Sequence, residues 1–408
     1  MKSVTPPQPP LHSSGRRRWM QALAITPLLP LAGCDGDVTV NAATPSPPAL
    51  PAARAAVREL LQSVSHRHDL AFVLAVAGPG GEWVEASGLA DRARGEALSA
   101  GHFVQGYSIT KLLTASAVLR LVDQGRVALD APIALYLAPA LLDGRPGGGA
   151  TPVRALLDHS AAIPNFSDTE AYDAWLLGSD AELPLQAQVQ LVQGAPLLGP
   201  QGQSAYYSNT HYALLALLIE AVTGDLHERF VRAEVLLPLG LSECRYGRER
   251  SGEAYPQARY YSTNSLISKD GKPVDASALT HKIMRNELGS GGLEAPAPAF
   301  VRLLQGVLRP GLLSAESRIA MQRWQPLQAG MASIPEFYGL GLMRLDHDLG
   351  QRAVGHPGSG VAWSYLAHLP DSQQTFFLAT TTGDAPADGP LYDNFQAVRA
   401  GVVRLLAG

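Results

Sequence analysis

Cysteine and lysine are the scarce residues of this sequence. The 408 residues contain two cysteines, Cys34 and Cys244. They form no CxxC pair and no Cys/His spacing of a structural metal site, so neither a redox dithiol nor a zinc centre has a basis here. No cofactor or metal is called for. Lysine occurs only at positions 2, 111, 269, 272 and 282, and arginine supplies the other cations. An excess of positive charge is also missing. The formal net charge is −4, which gives no footprint for nucleic acid. The glycine-rich stretch "GRPGGGA" (144–150) lacks the Gly-Lys-Ser/Thr ending of a phosphate loop. What remains is 46% hydrophobic and 17% charged, the balance of a globular chain with a sizeable core.

The N-terminus reads as a targeting segment. Arg16, Arg17 and Arg18 precede an apolar run from Ala22 to Ala32 that is too short to span a bilayer. Leu31-Ala32-Gly33-Cys34 follows and resembles a bacterial lipobox; Arg16-Arg17-Arg18-Trp19-Met20 resembles a twin-arginine signal. The expectation is a signal peptide over 1–34 that ends at Cys34 as the lipidation site, and a Pro-rich linker over 35–52. A single domain over 53–408 would then be exported and held at the bacterial cell envelope by its lipid, with the membrane as a partner. With Cys34 lipidated, Cys244 stands alone and stability must come from packing.

Periodicity predicts an amphipathic helix over 52–65, then a hairpin in "LAFVLAVAGPGGEWVEASGLA" around its Gly-Pro-Gly-Gly turn. The segment from Ser108 to Gly125 is apolar on most faces and reads as a buried helix. "HYALLALLIEAVTG" (211–224) reads likewise, closed by Gly224. Strands return in "RAVGHPGSG", "VAWSYLAHLP" and "QQTFFLATTTG", and a final helix covers about 392–407. Strands near both ends with helices between predict an α+β fold. It would have one antiparallel sheet from N- and C-terminal strands, flanked by the terminal helices, and a mainly helical subdomain over about 126–290.

Three stretches carry candidate chemistry. Ser108 is the only serine with a lysine at i+3, Lys111, and on a helix the two share a face. Taken alone, the pair reads first as a helix cap with a lysine reaching outward. Burial near a helix N-terminus would instead hold the lysine partly neutral and able to take the serine proton. Tyr207-Ser208-Asn209 precedes the second buried helix. A tyrosine near a cation loses its proton more easily and can serve as a base, and Asn209 offers an amide to a substrate or to Lys111. His356-Pro357-Gly358-Ser359 opens the C-terminal strands, where glycine permits close backbone approach and a main-chain NH can help hold an oxyanion.

In this order the three stretches resemble the serine β-lactamase and penicillin-binding-protein superfamily. The nearest branch is that of class C β-lactamases, D-alanyl-D-alanine carboxypeptidases and β-lactamase-like esterases, with its Ser-x-x-Lys, Tyr-x-Asn and Lys-Thr-Gly or His-x-Gly motifs. "TPVRALLDHSAAIP" resembles that group's "LLTHTSGLP", with Asp158, Ala161 and Ala162 in place of Thr, Ser and Gly. The resemblance spans roughly 53–405 and implies a β-lactamase/transpeptidase-like fold and a serine acyl-enzyme. It implies Ser108 as nucleophile, Lys111 as its activator and Tyr207 as general acid/base. Asn209 would orient the site or contact the substrate amide, and the NH groups of Ser108 and Ser359 would hold the oxyanion beside Gly358. His356 would take the place of the third-motif lysine as a conditional cation, while Pro357 has neither hydroxyl nor NH. Carboxylate recognition is thereby weakened, which shifts the expected substrate from β-lactams and D-alanyl peptides towards a small ester, amide or peptide, with an esterase favoured. The alternatives are a penicillin-binding carboxypeptidase or class C-like β-lactamase, and a non-catalytic envelope sensor on the same fold.

Overall fold

The computed structural model describes residues 50–407 except 143, 145–147, 248–255, 266, 329–336 and 385–388. Cys34 and most of the 35–52 stretch lie outside the described residues. The first helix, α1 (Leu50–His68), begins inside the stretch read as linker and runs three residues past its expected end. No helix among the described residues is long and apolar enough to cross a membrane.

The expected hairpin forms as β1 (Phe72–Gly78) and β2 (Gly81–Ser87). Six further strands complete an antiparallel sheet: β3 (Gln325–Pro326), β4 (Phe337–Tyr338), β5 (Met343–Arg344), β6 (Val354–Ser359), β7 (Trp363–Leu369) and β8 (Gln374–Thr380). Their spatial order is β2-β1-β8-β7-β6-β5-β4-β3. The N-terminal hairpin therefore joins the C-terminal strands directly, with Leu74 opposite Leu378 and Leu366 opposite Phe377.

This sheet is covered on both faces, which is why β1 is apolar throughout rather than alternating. Phe72, Leu74 and Val76 point towards α1 and the C-terminal helix (Pro390–Ala407), against Val57, Leu61, Phe395 and Val402. Val73, Ala75 and Ala77 point the other way, into the larger helical core. In that core lie α2 (Thr110–Asp123), α4 (Asn209–Thr223) and α6 (Ala297–Leu308), the last stacking Phe300 on Phe377 at 4.0 Å. Each fully buried Leu, Val or Phe contributes about 1.5–3 kcal/mol. α4 stops at Gly224, whose φ of +74° closes the helix as expected. Two further helices wall the cleft: α3 (Glu170–Gly178) and α5 (Ser277–Asn286). The fold is α+β, as expected. Its helical layer meets the sheet at β6 and the start of α2.

Candidate active site

Ser108 does not cap α2. It sits in a 3-10 turn, Tyr107–Ile109, and the helix proper starts at Thr110 with no side-chain cap. Tyr107 adopts a φ of +48°, a left-handed conformation that costs a non-glycine residue about 1–3 kcal/mol. The sheet holds this turn in place. Ser364 Oγ donates to Gly106 O at 3.0 Å, and Ala362 N donates to Tyr107 Oη at 3.2 Å. Gly358 is needed because a methyl there would fall 2.3 Å from Gly106 O. The glycine thus allows β6 to press against the backbone that presents Ser108.

Lys111 is fully buried and does not reach outward. Its Nζ meets three acceptors: Ser108 Oγ at 3.2 Å, Asn209 Oδ1 at 2.8 Å and Ser290 O at 3.2 Å. Burial lowers its pKa to about 7, against the opposing pull of the Glu287 carboxylate. As an ammonium it donates to all three. As a neutral amine it donates to Asn209 and Ser290 and leaves its lone pair towards Ser108, placed to accept the hydroxyl proton.

Tyr207 lies over this pair, its ring centroid 4.7 Å from Lys111 Nζ. Its phenol hydrogen-bonds Ser108, but burial outweighs that bond and pushes its pKa up. This corrects the expectation that a nearby cation eases its ionisation. In the resting site the phenol holds its proton. Asn209 occupies the first turn of α4, anchored through Asn165 Oδ1 at 2.9 Å to its NH, so its amide serves Lys111 rather than capping the helix.

His356 is a second correction. It is buried, and burial with the Lys111 charge lowers its pKa to about 3, so it is no cation near neutrality. Its Nδ1 lies 2.5 Å from Pro357 O and must donate there, so Nε2 accepts from Tyr338 Oη at 2.9 Å. Ser359 is exposed and lines the same cavity as Ser108, Tyr207, Asn209, His356 and Gly358. Among the described residues β5 pairs only with Val354 and Gly355 of β6, so the edge from His356 to Ser359 has no strand on that side. Pro357, without an NH, fits such an edge. The structure therefore brings together all seven residues singled out around the cleft.

The Beta-lactamase family model matches residues 54–400. The chain belongs to that family. It is 23% identical over 322 residues to penicillin-binding protein 4* of Bacillus subtilis strain 168, covering 76% of this chain and 67% of the relative. It is 31% identical over 170 residues to esterase EstB of Burkholderia gladioli, covering 40% of this chain and 43% of that one. In fold it is similar to the D-amino acid amidase of Ochrobactrum anthropi SV3 solved with L-phenylalanine amide, with a TM-score of 0.76, 21% identity, and 87% and 97% of the two chains covered. The superfamily is one of serine hydrolases, and its members here include penicillin-binding proteins and an esterase.

Several residues of this Beta-lactamase-family site were not singled out from the sequence. His159, with a φ of +64°, places its ring 4.5 Å from those of Tyr207 and Tyr338, tilted against the first and edge-on to the second. His211 Nε2 accepts from Ile163 N at 3.1 Å, so its Nδ1 donates to His159 Nδ1 at 2.8 Å. Burial keeps both below their ordinary range, His211 at about 3. This neutral pair backs Tyr207 without adding charge. Glu287 lines the cavity and accepts a hydrogen bond from Tyr172 Oη. Burial raises its pKa. One sequence signal was available for it: Glu287 directly precedes the Leu-Gly-Ser-Gly-Gly stretch whose Ser290 carbonyl holds Lys111.

Proposed function

We propose that this protein is a serine hydrolase that cleaves small esters or amides through an acyl-enzyme. Neutral Lys111 takes the Ser108 proton as Oγ attacks the substrate carbonyl, and the NH groups of Ser108 and Ser359 receive the oxyanion. Tyr207, protonated at rest, hands its proton to the leaving group as the tetrahedral intermediate collapses. Lys111 then returns the serine's proton to Tyr207. A water attacks the acyl-enzyme and gives its proton back through the same pair to Ser108. The observation that carries this reading is the 3.2 Å approach of a lysine near its midpoint at pH 7 to a serine presented by a strained turn.

The third motif supports acyl groups that need no carboxylate receptor. His356 is neutral, Pro357 offers no donor, and much of the cavity wall is apolar, with Leu176, Ile267, Leu279, Ile283 and Val361. Esters and amides are accordingly favoured over β-lactams and D-alanyl peptides. The domain follows an export signal over 1–34 and a Pro-rich tether that leads into α1. Lipid on Cys34 holds it at the bacterial envelope.

Labelling with a serine-directed fluorophosphonate, alongside turnover of p-nitrophenyl acetate and a chromogenic cephalosporin, tests the reading. The expected result is labelling lost in Ser108→Ala, with the ester turned over faster than the cephalosporin. Stoichiometric acylation by the cephalosporin without turnover indicates a penicillin-binding sensor. Absence of labelling indicates a binder and overturns the enzyme reading.

A further inference from the structure

Of the ionisable side chains lining the cleft, Glu287 has no part in the proton transfers just described. It follows α5 directly, and the structure around it is fixed. Asn286 Oδ1 accepts from Leu183 N at 2.7 Å, and Gly289 N donates to Tyr246 Oη at 2.9 Å. Thr114 Oγ1 donates to Gly289 O at 2.7 Å. Gly289 has a φ of +88° and lies so close to Tyr212 O that a methyl would sit 2.5 Å from it. The same loop delivers the Ser290 carbonyl to Lys111. Glu287 is therefore held in place on the cavity that Ser108 also lines, its carboxyl group bonded to Tyr172, with Leu176 and Ile283 lining the same cavity.

The cations near this carboxylate are already engaged. Lys282, five residues back on α5, donates to the carbonyls of Trp175 and Leu176 at 2.8 Å each and closes the C-terminus of α3. Lys111 is engaged by Asn209, Ser108 and Ser290. Arg399, the one arginine lining the cavity among the described residues, is bound to Asp348 and lies 4.6 Å from the Tyr365 ring. A second acid, Asp168, lines the same cavity. A substrate carboxylate entering here meets two carboxyl groups and no available cation.

We infer that Glu287 is the receptor for an ammonium group on the acyl part of the substrate. The preferred substrates are then esters or amides of amino acids bearing a free amine, their apolar side chains lying along Leu176, Leu279 and Ile283. This rests on the hydrolase reading above and names the substrate class of that site. The carboxylate accepts the ammonium N–H bonds on one oxygen and keeps the Tyr172 bond on the other. Outside the ion pair, the same carboxyl repels the carboxylate-bearing substrates that the third motif also fails to hold.

A matched pair of substrates tests this: the methyl ester of phenylalanine, in each enantiomer, and the methyl ester of 3-phenylpropionate, which lacks only the amine. Hydrolysis is followed by pH-stat. Wild-type protein should prefer one amino ester over its desamino analogue in kcat/KM. Glu287→Gln should reduce that ratio by about tenfold to a hundredfold, mainly through KM, as loss of a charged hydrogen bond predicts. Glu287→Asp should restore part of it, and Glu287→Lys should turn the preference towards a succinate half-ester. Equal rates on the pair, or a parallel fall on both esters in Glu287→Gln, would overturn the assignment of Glu287 and leave the hydrolase standing. Fluorophosphonate labelling of Ser108 without hydrolysis of either ester would also overturn it. Absence of both labelling and hydrolysis would remove the hydrolase reading itself.

Discussion

Lys111 on α2 and His356 on β6 are two buried bases at one cleft, and burial acts on both in the same direction. Lys111 falls from 10.5 to about 7, and His356 from 6.5 to about 3. Their neighbours act in opposite senses. Glu287 favours the charge on Lys111, whereas the charge on Lys111 disfavours one on His356. The same environment thus leaves one base at its midpoint near pH 7 and the other neutral. The nucleophile wall keeps a group able to exchange a proton, and the β6 wall offers shape and backbone.

The comparison is broken most completely at the nucleophile wall. Ser108→Ala and Lys111→Met should each lower kcat on p-nitrophenyl acetate by about a thousandfold or more, because they remove the attacking atom or its base. Tyr207→Phe should cost about a hundredfold, with the larger loss on substrates whose leaving group must be protonated. Gly358→Ala breaks the seam between the walls. Its methyl cannot fit against Gly106 O, so kcat should fall about tenfold and Tm should drop as the Tyr107 turn shifts. His356→Asn breaks the other side of the comparison. It removes the acceptor of Tyr338 and should cost about 1–3 kcal/mol of stability in chemical denaturation, while the pH at which kcat/KM rises stays near that of wild type.

The smallest signal is thermodynamic. Between about pH 7 and 10.5 the unfolded chain binds a proton on Lys111 that the folded chain has released. Stability should therefore rise with pH across that window, by up to about 1.4 kcal/mol per pH unit from this group. The difference between wild type and Lys111→Met in denaturation at a series of pH values isolates it. A difference that falls or stays flat over the window would mean that the buried amine keeps its proton.

Much of the fold was legible because local patterns carried it. The β1–β2 hairpin announced itself by its turn, α4 by its apolar run and terminal glycine, and the Ser108–Lys111 pair by a spacing that a helix converts into contact. What was not legible depended on contacts made across the chain. Tyr107 reads as an ordinary residue before a helix, and its positive φ is imposed by Ser364 and Ala362 of the sheet region. The expected ease of Tyr207 ionisation and the conditional charge on His356 both failed for one reason. Sequence shows which charges are near one another in a motif but not how completely water is excluded around them. The Leu-Gly-Ser-Gly-Gly stretch after Glu287 marked the neighbourhood but not the residue, because its place near Lys111 is set by the 289–290 loop packing on α2 and α4.

The central claim is that Lys111 is available as a neutral base near pH 7. With five lysines in the chain, an NMR titration of protein labelled with 13C- and 15N-lysine can follow this amine directly, with Lys111→Met assigning its signal. The signal missing from the variant should titrate with a midpoint near pH 7. A Lys111 signal that stays protonated until about pH 10, as an unperturbed lysine would, would contradict it.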